Sequence, residues 1–170
     1  MRVYLPATTT VLRRLVEEGR LSGPHTAFAV TAELRRFYAV SDADADLEEL
    51  EYAALLTAAR ASLRLIDVDP AAARRRVVVA ADVPDTAVAS LADDHIDPGA
   101  VRVTADVSLR DVASAHIDDA AAEEDVRAAV NVVLEADLGS DDAQFVVDQA
   151  EGHELSWYAS QEIGPVLELL

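Results

Sequence analysis

Three groups of side chains in this sequence have the types and spacing to do chemistry. The first lies towards the C-terminal end. His153, Trp157 and Gln161 recur every four residues, and Glu154, Tyr158 and Glu162 form the adjacent row. On a helix over residues 153–163 the two rows share one broad face. An aromatic and polar face of this kind suits a ligand pocket or a protein interface, where Trp and Tyr supply much of the binding energy. These six are the candidate binding residues. Beside that reading stands a plainer one, in which Trp157 and Tyr158 dock a terminal helix on the core. His153-Glu154 does not open a zinc-protease motif, because Trp157 stands where H-E-x-x-H needs its second His.

The second group is His116, Asp118 and Asp82, each at the end of an apolar run. In an open parallel sheet, ligands gather at the carboxyl ends of the strands. There His116 would serve as a general base, and the carboxylates would suit Mg²⁺, which prefers oxygen ligands. The local alternative is that Asp82 and Asp85 shape a turn, Asp118 and Asp119 cap a helix, and His116 is a satisfied half-buried residue. The third group, Asp93, Asp94, His95 and Asp97, sits in a Pro/Gly loop and reads as solvated surface, so no metal site is assigned. No G-x-G-x-x-G, G-x-S-x-G or P-loop signature occurs, and no cofactor is assigned.

Composition narrows the field further. The chain has 170 residues, no Cys and no Lys, so its basic side chains are fourteen Arg beside four His. Thiolate chemistry, disulfides, Schiff bases and Lys bases are therefore excluded. The formal charge of −18 repels phosphate backbones and anionic lipid, which argues against nucleic-acid or membrane-surface partners. With no apolar leader or membrane-length run, the expectation is a cytoplasmic protein without a signal peptide.

The elements that must position these groups are organised around residues 47–66, LEELEYAALLTAARASLRLI. Asp44 or Asp46 can cap this helix, and apolar residues cover most of its circumference, which predicts burial on more than one side. Arg60 and Arg64 on its polar stripe then need carboxylate partners, for which Glu154 and Glu162 are candidates. Strands are expected at residues 2–6, 26–31, 74–82, 101–107 and 112–118. Helices are expected at 8–18, 32–39, 85–91, 123–135, 142–151 and 153–163. Strands alternating with helices predict a single α/β domain, with a mainly parallel or mixed sheet of about five strands and helices packed around it. The alternative is a ferredoxin-like α+β arrangement, because residues 101–107 and 112–118 are close enough to form a hairpin.

The blocks MRVYLPAT, TAFAVTAELRRFYA, EYAALLTAARASLRL, RRRVVVAADVPD and HELSWYASQEI, in that order, resemble an uncharacterised actinobacterial family. The resemblance spans nearly the whole chain. It implies an actinobacterial, cytosolic origin and carries no catalytic residue with it. Three functional expectations follow from the side chains. One is a non-catalytic domain that binds a protein partner, a second copy of itself or a ligand through the 153–162 face. Another is a Mg²⁺-dependent or acid/base enzyme at the strand ends. The last is an acidic decoy for a basic partner.

Overall fold

The computed structural model describes residues 1–41, 46–91, 93 and 96–170. Asp44, one of the two expected caps, and Asp94 and His95 of the loop cluster lie outside the described residues.

Among the described residues, seven strands form one antiparallel sheet in the order β5-β6-β3-β1-β4-β8-β9. They are β1 (Arg2–Ala7), β3 (His25–Phe28), β4 (Val77–Asp82), β5 (Val88–Ser90), β6 (Ala100–Val103), β8 (Val112–Ile117) and β9 (Ser156–Ala159). A separate ribbon pairs β2 (Arg20–Leu21) with β7 (Val107–Ser108). The helices are α1 (Thr9–Glu18), α2 (Ala32–Ser41), α3 (Leu47–Asp67), α4 (Glu123–Val130), α5 (Val133–Asp137), α6 (Asp141–Glu151) and α7 (Ile163–Leu167).

The fold is therefore α+β, and the mainly parallel α/β sheet expected from the alternation is wrong. The reason is strand order. Both β3 and β4 run antiparallel to β1, so they do point the same way, as a helical crossover requires. They are not neighbours, because β1 lies between them. The expected hairpin of residues 101–107 with 112–118 does not form either. β6 pairs with β3 and β5, while β8 pairs with β4 and β9.

Alternation along the strands gives the sheet two apolar faces. Val3, Leu5, Val77, Val79, Ala115 and Ile117 pack with Leu12 and Leu15 of α1 and Ile163 and Leu167 of α7. Tyr4, Phe28, Val78 and Ala80 face Leu50, Ala54 and Ala58 of α3. The farther half of α3 turns Leu63 and Ile66 into a third cluster built by α4, α5 and α6. So α3 is covered on two sides, as its composition predicts, but a stripe stays open. Tyr52 is 52% and Leu56 40% exposed.

Local chemistry sets the ends of these elements. Thr8 accepts the Val11 N–H at 3.2 Å to open α1, and Gly19, at φ 73°, closes it in a left-handed conformation that disfavours a side chain. Asp46 caps α3 in a reciprocal box: its carboxylate accepts the Glu49 N–H at 2.9 Å, and Glu49 accepts the Asp46 N–H at 3.2 Å. The expected helix over 123–135 is broken between α4 and α5 at Asn131-Val132. The one expected over 85–91 is a single 3-10 turn, Asp85–Ala87, followed by β5.

Arg60 and Arg64 are paired, but not with Glu154 or Glu162. Arg60 donates to Glu151 at 3.1 Å, Asp137 at 3.2 Å and Gln144 at 2.9 Å. Arg64 forks onto Asp137 at 2.6 and 2.9 Å. The hydrogen bonds from Arg64, reinforced by Arg60, hold the Asp137 carboxyl below the usual carboxylate range.

Ser62 joins α3 to the sheet. Its hydroxyl donates to the Ala7 carbonyl at 2.6 Å and accepts the Val77 N–H at 3.0 Å, completing the β1–β4 ladder where those strands part. Ser62→Ala leaves both backbone groups buried and unpaired, at a cost of about 1–3 kcal/mol. Urea unfolding of the two proteins should show that loss; an unchanged midpoint would mean water replaces the hydroxyl.

Candidate functional site

The open edge of α3 and the sheet beneath it enclose a groove. Arg2 and Tyr4 reach it from β1, Ala80 from β4, Ser114 and His116 from β8, and Trp157 from β9. Glu48, Glu51, Tyr52 and Leu55 of α3 form the opposite wall. The small Ala80 leaves a hollow of about 230 Å³. A second hollow of about 220 Å³ shares Tyr52 and Leu55 and adds Leu56, His153, Glu154 and Leu155. Tyr52 and Leu55 line both hollows, which thus lie side by side as two compartments.

Strand alternation explains why these side chains meet. In an antiparallel sheet Arg2 and Tyr4 point to the same face, as do Ser114 and His116. Cross-strand register then places Tyr4 opposite Ala80, Ala80 opposite Ser114, and His116 opposite Trp157. Ser114 Oγ lies 3.2 Å from His116 Nε2. The fold displaces protonation at four groups here. Burial, aided by the Arg2 charge, lowers the pKa of His116 and keeps the imidazole neutral. Burial, with Glu51 nearby, raises the Tyr4 phenol. Arg2 donates to Asp82 at 2.7 and 3.0 Å, which raises the guanidinium and lowers the carboxyl.

A buried ion pair is tied to the second compartment through His153. Arg76 and Asp118 bond through two contacts of 2.8 Å, and Asp118 also accepts the Arg76 backbone N–H at 2.8 Å. Arg76 donates a further bond to the His153 carbonyl at 2.8 Å, which fastens the segment entering β9. The His153 ring meets Asp125 at 2.7 Å.

The structure divides the candidate residues of the sequence. His116 and Trp157 share the first compartment, and His153 and Glu154 line the second. Asp82 reaches the site only through Arg2. Asp118 is turned away and held by Arg76. The two carboxylates do not converge with His116: β4 and β8 are antiparallel, so Asp82 lies at the opposite end of the sheet, and Asp118, beside His116 in sequence, is held by Arg76. The expected helix over 153–163 is instead β9 and a 3-10 turn, Ser160–Glu162, leading into α7. A strand sends Trp157 and Tyr158 to opposite faces, so Tyr158 packs into the core under α1 and α7. Gln161 and Glu162 fall in the turn, where Glu162 accepts the Ala159 N–H at 2.8 Å.

Arg2, Tyr4, Glu48 and Ser114 are the groove residues that sequence reasoning passed over. For Arg2, Tyr4 and Ser114 the signal was parity, a polar or aromatic residue at every second position of an otherwise apolar strand; Glu48, in the first turn of α3, carried no such signal. A larger hollow of about 670 Å³, lined by Val11, Arg14, Leu21, Pro24, His25 and Leu65 among others, lies apart, and none of the candidate residues of the sequence reaches it.

His116 gives the groove a pH signature. Its folded pKa lies below the roughly 6.5 of an unfolded His. Between those values the unfolded chain binds the extra proton, so stability rises with pH there. This contribution is complete above about pH 6.5 and is lost as pH falls towards the folded pKa. Denaturant unfolding at pH 5 and pH 7 should show a smaller difference for His116→Asn than for the unaltered chain. Equal differences would place the His116 ring in water.

These features define an α+β protein with an aromatic-lined groove between one long helix and an antiparallel sheet. Residues 1–167 match a family of unknown function, DUF6912, and the chain belongs to that family. No curated protein matches the chain, and no solved structure does. Among the described residues no helix is long and apolar enough to cross a membrane, and no three His, Asp or Glu side chains are grouped to hold a metal ion.

Proposed function

We propose that this protein is a binding domain whose ligand lies in the groove between α3 and the β8–β9 edge of the sheet. The observation that carries the reading is the position of Trp157. It is 61% exposed, yet it lies over a hollow with buried polar groups in its floor. An aromatic ring left in water beside Tyr52 is poised to be covered by a ligand. Each compartment falls below the roughly 300 Å³ of drug-sized pockets, so each seats one functional group rather than a large ligand. A thermal-shift screen of metabolites tests this. Compounds that stabilise the unaltered chain should fail to stabilise Trp157→Ala, since binding raises stability by mass action. Equal shifts in both would place binding elsewhere.

The Ser114–His116 contact supports a second reading, acid/base catalysis in the first compartment. Turnover of any groove ligand, abolished by Ser114→Ala and by His116→Asn, would favour it. The Mg²⁺ version has less support, because Asp118 and Asp82 are both engaged by Arg.

A further inference from the structure

The groove has a charge pattern that selects among ligands. Glu48 and Glu51 line its first compartment and Glu154 its second. Among the described residues none of the three has a cationic partner within 4 Å. The cations nearby are bonded to other carboxylates: Arg2 closes its fork on Asp82, although its charge also attracts Glu51, and the His153 ring lies on Asp125. His116, half-buried at the floor, is pushed towards its neutral form by loss of water. What remains is excess negative charge around Tyr4, Tyr52 and Trp157, with Leu55 shared by the two compartments and Leu56 and Leu155 lining the second. An anion is repelled there, and a neutral ligand gains nothing from the charge, since water already solvates the carboxylates. An organic cation satisfies both components, because ammonium and guanidinium groups are attracted to carboxylates and to aromatic faces alike. From Glu48 to Leu56 the helix advances about 12 Å, enough for an aliphatic stem to pass Tyr52 and enter the second compartment.

We propose that the groove binds an ammonium or guanidinium group on an aliphatic stem, with the charge between Trp157, Tyr52 and the carboxylates of Glu48 and Glu51. The proposal rests on the groove being the binding site. Free amines and the Arg or Lys side chains of proteins both carry this chemistry.

Trp157 is the only Trp in the chain, so its fluorescence reports the groove directly. The unaltered protein is titrated with agmatine, with the capped tripeptide Gly-Arg-Gly, with neutral 1,5-pentanediol and with the dianion glutarate. Agmatine, the tripeptide or both should shift the emission saturably. The dissociation constant should rise at least tenfold in the Glu48→Gln/Glu51→Gln double variant and should also rise with added salt. Response to agmatine alone identifies a free amine as the ligand source, and response to the tripeptide admits a protein side chain. No response to either cation, or a response unchanged in the double variant whose circular dichroism matches the parent, overturns the cation assignment. If pentanediol or glutarate shifts the emission in its place, the groove remains a binding site for another class. If no probe acts and the metabolite screen finds no Trp157-dependent stabiliser, the binding reading falls as well.

Discussion

Asp118→Ala should lower stability by about 3–5 kcal/mol, the usual cost of leaving one partner of a buried ion pair alone. For a domain of this size each kcal/mol moves the melting temperature by about 2–4 °C, so the fall is large and easily measured. Arg76 is only 1% exposed, so its guanidinium is held almost wholly out of water. Removing the Asp118 carboxylate takes away both guanidinium contacts and the acceptor of the Arg76 N–H, leaving only the His153 carbonyl. The double variant Arg76→Met/Asp118→Leu should recover much of the loss, because an apolar pair of similar volume can replace a buried ion pair at little cost. Recovery should be incomplete, since the His153 carbonyl loses its donor. A single-variant cost under about 1 kcal/mol would mean that water reaches the pair.

The second large effect separates two adjacent aromatics. Tyr158→Ala should cost about 2–3 kcal/mol, somewhat less than a fully buried ring, because Tyr158 packs against the α1–α7 face of the core. Trp157→Ala should cost no more than about 0.5 kcal/mol, as surface substitutions do, while removing ligand binding. Neighbours in a strand behave in this split way. On a helix over 153–163 the two rings share a face and the variants would resemble each other. Urea unfolding of both, at one pH, decides the matter.

Those two rings also show where the sequence stops being readable. The row His153, Trp157, Gln161 has a spacing of four, which fits one face of a helix and equally one face of a strand. Only the adjacent row, Glu154, Tyr158, Glu162, distinguishes the two, and it does so through burial, which a sequence does not display. Strand order is hidden for a similar reason. The runs that form β1, β3, β4, β6 and β8 are visible as apolar stretches, and α3 as the organising helix. Nothing local records that β1 lies between β3 and β4, because that is decided by packing against α3 and α1. The strand-end expectation for His116, Asp118 and Asp82 rested on a parallel sheet; in the antiparallel one His116 lines the groove while Asp82 and Asp118 are engaged by Arg2 and Arg76. The long helix was readable because Asp46, the unbroken run to Ile66 and the stops at Asp69-Pro70 agree at every level. The acidic side chains Glu48 and Glu51 lie near the start of that helix, where carboxylates complement its dipole whatever faces them. Only the placement of Tyr4, His116 and Trp157 opposite them makes a groove.

The most direct test of the groove as the working surface is a map of backbone and Trp157 side-chain amide NMR shifts in the ¹⁵N-labelled full chain, with and without the strongest stabiliser from the metabolite screen. The account predicts shifts concentrated at Glu51, Tyr52, Leu55, Ser114, His116 and Trp157. Shifts confined to the larger hollow at Val11, Arg14, Leu21 and His25, with Trp157 unmoved, would contradict it.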